Sequence, residues 1–205
     1  MFGNGRHHRP PALRPRDPSV RPRGWTFDLG VPDLLAPYAS ASALEAYRAL
    51  GAPVGAGERS GPGGSIGLLH FAGLGATEAA ILLERLPPGD LLDRQNFSPT
   101  LGAFLRSAVA YPGEVELHGY CVGPDREDER VSVEGVLLYA HSELIIAQET
   151  PWREAPHPAS CQCAELWRIA QHHYGLADAE CPPDEYGRFR SRRRPDEHCW
   201  RLWWD

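Results

Sequence analysis

The stretch Glu114-Val115-Glu116-Leu117-His118-Gly119-Tyr120-Cys121-Val122, followed after a polar turn by Val131-Ser132-Val133-Glu134-Gly135-Val136-Leu137-Leu138-Tyr139, decides the fold class. Val115, Leu117 and Cys121 alternate with Glu116, His118 and Tyr120. A strand turns successive side chains to opposite faces, so this pattern predicts one buried and one wet face. Gly123-Pro124-Asp125 opens the turn. Val131, Val133, Leu137 and Tyr139 then alternate against Ser132 and Glu134. Glu143 to Gln148 reads as a third strand, giving a small antiparallel meander around residues 114–148.

Outward from the meander, the signals are helical. Ser98-Pro99 reads as an N-cap followed by proline in the first turn, with Leu101, Phe104, Leu105 and Ala108 on one face. Thr77 to Leu86 reads as a helix stopped by Pro87-Pro88, after a buried strand at Ser65 to Phe71. Ser42-Ala43-Leu44-Glu45 is a capping-box pattern for a helix ending near Leu50. Ser160 starts a helix to Tyr174, and Trp25 to Leu29 reads as a short strand.

The expectation is therefore α+β: a small antiparallel sheet packed by two or three helices, spanning residues 25–175. Residues 1–24, rich in Arg and Pro and poor in large apolar side chains, read as a disordered basic arm. Residues 176–205 read as a Pro/Arg-rich extension that ends in a docked aromatic strap, because Trp200, Trp203 and Trp204 are costly to leave in water.

All 21 basic residues are arginine, which excludes a lysine Schiff base or a P-loop lysine. The net charge of −6 is uneven: about +5 over residues 1–24, −14 over 25–187 and +3 over 188–205. No apolar run is long and unbroken enough to predict a membrane span or membrane partner. Five cysteines and no secretory pattern predict reduced thiols and a cytoplasmic location.

Four sets of residues could carry chemistry. Cys161, Cys163, Cys181, His198 and Cys199 crowd the last 45 residues and could hold zinc. Cys161-Gln162-Cys163 is one residue tighter than a zinc knuckle, so a site requires both in a turn with the tail folded back. Packing of Cys163 with Leu166, Trp167 and Ala170 is the competing reading. Cys161 near a helix start could also serve as a thiolate, with His157, His172 or His198 as base.

Glu116, His118 and Glu134 on the meander's polar face could do acid-base work, or simply face solvent. Arg94 before a helix start, and Arg192, Arg193 and Arg194 near the C-terminus, could contact an anion or nucleic acid. Three functions stay open: a non-catalytic domain whose partner is another protein, a nucleic-acid-associated protein using its Arg-rich ends, and a small enzyme.

Overall fold

The computed structural model describes residues 22–50, 67–147, 158–191 and 193–205. It is an α+β fold built on one five-stranded sheet, in the order β1-β2-β3-β5-β4, with every neighbouring pair antiparallel. The strands are β1 Leu68–Leu74, β2 Val115–Val122, β3 Arg130–Leu138, β4 Glu185–Phe189 and β5 Cys199–Trp203. The helices are α1 Trp25–Asp28, α2 Val31–Leu35, α3 Ala41–Leu50, α4 Ala76–Arg85, α5 Leu101–Ala110 and α6 Cys163–His172. None of them is long and apolar enough to cross a membrane.

The predicted β2–β3 pair forms, but with an irregularity that the sequence pattern does not announce. Gly119 pairs with Val133, whereas the preceding His118 pairs with Gly135, so Glu134 is an extra residue in β3. Such a bulge reverses which face the following side chains take. Val131 and Val133 face the helices before it, and Val136 and Leu138 do so after it. Leu137 and Tyr139, predicted to lie with Val131 and Val133, instead share the opposite face with Glu116. A second shift lies between Ala72 and Leu74 in β1, which leaves Gly73 as the extra residue there. Ala72 pairs with His118, so both neighbours of β2 are bulged beside the same histidine.

Gly135 makes this possible. A Cβ at that position would sit 2.1 Å from His118 Nε2 and 2.6 Å from the Leu202 carbonyl oxygen. The imidazole thus occupies the space that any other residue's side chain would fill.

The place beside β3 that residues 143–148 were expected to take belongs to β5, which brings in the C-terminal tryptophans. Residues 144–147 form no strand, and Gln148 lies outside the described residues. Leu144 and Ile146 are buried, and the segment is tied to the chain before α6: Gln162 N–H donates to Ile145 O at 2.7 Å, and Ile145 N–H to Gln162 Oε1 at 2.8 Å. Trp200, Leu202 and Trp204 point into the helix side, where the Trp204 ring meets Phe104 at 5.6 Å and Trp167 at 5.8 Å. The terminus is thereby a sheet strand, with Trp204 among the largest fully buried side chains.

Two further expectations are corrected. The segment expected as a strand at Trp25–Leu29 forms helix α1 over Trp25–Asp28, because the buried Glu129 carboxylate accepts from Gly24 N, Thr26 N and the Thr26 hydroxyl at 2.7–2.9 Å and so satisfies the helix start. The cap of α5 is Thr100, whose hydroxyl accepts from Ala103 N at 3.2 Å and donates to Asp178 Oδ2 at 2.7 Å. Ser98 instead donates to the Pro99 carbonyl. The predicted α5 face of Leu101, Phe104, Leu105 and Ala108 is buried, as is the α6 stripe of Cys163, Leu166 and Ala170.

Replacing Gly135 with alanine is expected to destabilise the fold by about 1–3 kcal/mol, the usual cost of overpacking. Gly187→Ala, where nothing lies within 4 Å of the added methyl, is the matched control in β4. Chemical denaturation of both variants checks this. Equal midpoints would contradict the close His118–Gly135 approach.

Candidate functional site

The face of the sheet turned away from the helices gathers the residues singled out from the meander. At its centre His118 Nδ1 stands 3.8 Å from Glu134 Oε1, beyond hydrogen-bond length but within ion-pair range. Burial pushes the His118 pKa down, against the opposing pull of Glu134. Burial alone would raise the Glu134 carboxyl, but facing His118, nearby His70 and Trp203 together hold it below its ordinary value. The pair is therefore a neutral imidazole beside a carboxylate, which is the electronic arrangement of a general base. Access is another matter. His118 Nε2 is buried, has no hydrogen-bond partner and abuts Gly135.

Glu116 does not join that pair. It accepts a 2.8 Å hydrogen bond from the Tyr139 hydroxyl, and burial pushes its carboxyl up despite the charges of Arg194 and Arg193. Burial and the bond to Glu116 also drive the Tyr139 hydroxyl far up. Arg194 lies 3.6 Å over the Tyr139 ring, donates to Gly113 O at 2.6 Å and pairs with Glu197. Arg193 lies 4.3 Å over the Tyr38 ring. These two arginines tie the β4–β5 connection across the sheet face, and Arg192 lies outside the described residues. Arg94 is likewise committed, donating to Ser98 O at 3.1 Å and Asp178 O at 2.9 Å, with Glu180 at 3.6 Å.

The Cys/His set is brought together only in part. Cys161 and Cys163 meet at the start of α6: burial, then the neighbouring Cys161, pushes the Cys163 thiol up to about 11. Cys199 faces the opposite side of the sheet, donates to Phe189 O at 3.4 Å and is pushed up to about 12 by burial and then by Glu116. His198 engages Arg190 at 2.7 Å. The Cys181 carbonyl receives the Trp204 indole N–H at 3.1 Å. Among the described residues no three His, Cys, Asp or Glu side chains stand together as a group that could hold a metal ion. His157 lies outside the described residues.

Two arrangements have no signal in the local sequence. The first is a cluster in which Tyr111, His141, His173 and Tyr174 meet at ring separations of 4.7–6.4 Å, beside an open groove of about 400 Å³. His141 has a φ of 65°, rare outside glycine, and its buried Nε2 has no partner. Nothing local marks these four rings as neighbours. The second follows from β5 alternation: as Trp200, Leu202 and Trp204 go inward, Cys199, Arg201 and Trp203 go outward. The Arg201 guanidinium lies 5.5 Å from the Trp203 ring and 5.9 Å from the Phe189 ring, and pairs with Glu185 at 2.7 Å. Phe189, Arg201 and Trp203 all remain partly exposed.

Compared with family models, curated proteins and solved structures, the chain matches none.

His118 sets a testable pH dependence. Its folded pKa lies below the unfolded value near 6.5, so the unfolded chain binds the extra proton first. The stability this neutral histidine contributes is present above the unfolded value and is lost as pH falls from there toward the folded one. Urea midpoints measured at about pH 7 and about pH 5.5 should fall with acid, and His118→Asn should flatten that fall. An unchanged slope in the variant would contradict the buried, neutral imidazole.

Proposed function

We propose that this chain is a non-catalytic protein-binding domain whose partner docks on the outer face of the β4–β5 pair. The observation that carries the reading is the Phe189–Arg201–Trp203 array. Tryptophan and arginine dominate the energetics of protein interfaces, because each brings a large contact area and loses little freedom when it is already held in place. Here Arg201 is held by Glu185 and by the two rings that flank it. Strand geometry fixes the three side chains on one face, so the surface is formed before any partner arrives.

The committed state of the other candidates favours binding over catalysis. His118 Nε2 has no open path to a substrate, Glu116 is occupied by Tyr139, and Cys199 is held as a protonated thiol. It also favours a protein over a nucleic acid. Arg193 and Arg194 spend their charge on Tyr38, Tyr139 and Glu197, and Arg201 spends its own on Glu185.

Selection from a random peptide display library on the intact chain tests the reading. Recovered peptides should lose about tenfold or more in affinity for Trp203→Ala or Arg201→Ala, as truncated interface anchors usually do. Their affinity for Arg106→Ala, on α5, should not change. Thermal unfolding confirms that each variant is folded. Peptides indifferent to Trp203 and Arg201, or a turnover abolished by a single change at His118 or Glu134, would overturn the assignment.

A further inference from the structure

The Cys161-Gln162-Cys163 turn is the one part of the cysteine-rich tail that the fold assembles without giving it a role in the binding face. Gln162 has φ −100° and ψ 24°, a turned rather than extended backbone. In a helix-like turn, Cα atoms two residues apart are separated by roughly 5.4 Å. A disulfide spans about 4.4–6.8 Å between Cα atoms, so the backbone is already within range. The two cysteines differ in access: Cys161 is partly exposed, while Cys163 is 7% exposed and sits in the core beside Leu166. The backbone N–H of Ala147 points at Cys161 Sγ from 3.4 Å, a contact that favours negative charge on that sulfur.

We propose that Cys161 and Cys163 are a redox-active dithiol, in which a peroxide oxidises Cys161 and Cys163 then closes an intrachain disulfide. In the first step the Cys161 sulfur attacks hydrogen peroxide. The O–O bond breaks, an S–O bond forms, one water leaves, and Cys161 becomes a sulfenic acid. In the second step the Cys163 sulfur attacks Cys161 Sγ. The S–S bond forms, the S–O bond breaks, and hydroxide leaves with the Cys163 proton as a second water. Two thiols are oxidised by two electrons, and one peroxide is reduced to two waters.

The environment separates the roles. Burial and the adjacent Cys161 sulfur keep Cys163 a thiol while Cys161 meets the oxidant. Closure draws the Cys161 sulfur away from Ala147 N–H, which loosens the tie between residues 144–147 and the start of α6.

The test uses the full chain, reduced and then treated with hydrogen peroxide, alkylated and digested with trypsin. Cleavage after Arg153 and Arg168 leaves both cysteines, and no other, in one peptide. The expected product is that peptide lacking two hydrogens and resistant to alkylation, with Cys121 and Cys199 still alkylated after unfolding. In Cys163→Ser, Cys161 should stop at a sulfenic acid that a dimedone probe captures. In the oxidised wild-type chain, amide exchange at Ala147 should rise by about tenfold or more as its hydrogen bond is lost. The proposal is overturned if wild-type Cys163 remains alkylatable while Cys161 accumulates as sulfinic acid. A disulfide joining Cys161 to Cys181 or to a second chain would overturn it equally.

Discussion

The arrangement depends on one extra residue in β3. Because Glu134 is inserted opposite His118, the sequence Val131-Ser132-Val133 and the sequence Val136-Leu137-Leu138 present their core side chains in opposite parity, and both nevertheless pack on the helices. Without the bulge, Val136 and Leu138 would turn to the far face and Leu137 and Tyr139 to the core. That would also separate Tyr139 from Glu116 and remove the anchor on which Arg194 rests. The residue after the insertion has to be glycine, since the His118 ring fills its side-chain space.

The bulge also governs what lies next to it. Leu137 pairs with Arg201 and Gly135 with Trp203, so the parity of β3 after Glu134 fixes the parity of β5. Two tryptophans are then buried against Phe104, Trp167 and the remainder of the core, and the third is turned outward with Arg201. The same local insertion therefore determines the inner packing of the C-terminus and the surface to which we assign binding. Glu134 belongs to both: its carbonyl accepts from Trp204 N at 2.9 Å, and its carboxylate faces His118.

Much of this was legible before the structure. Clean alternation announced β2 and the first half of β3, and helical spacing announced α5 and the buried face of α6. The register beyond Glu134 was not legible, because Val136-Leu137-Leu138 is apolar at every position and fits either parity. Residues 143–148 carried a fair strand signal, but residues 199–203, about sixty positions later, take the site beside β3. The helical form of Trp25–Asp28 depends on Glu129, more than a hundred positions away. Long-range partners of this kind leave no mark in a local pattern. The His118–Glu134 pairing was readable as a polar sheet face; the isolation of Glu116, the His141–His173 cluster and the Arg201 array were not, since each requires the strand order.

Cross-strand nuclear Overhauser contacts between β2 and β3 test this account most directly. A bulge at Glu134 predicts Glu116 opposite Leu137 and Val115 opposite Leu138, with Gly119 still opposite Val133. A continuous ladder, with His118 opposite Glu134 and Glu116 opposite Val136, would contradict it.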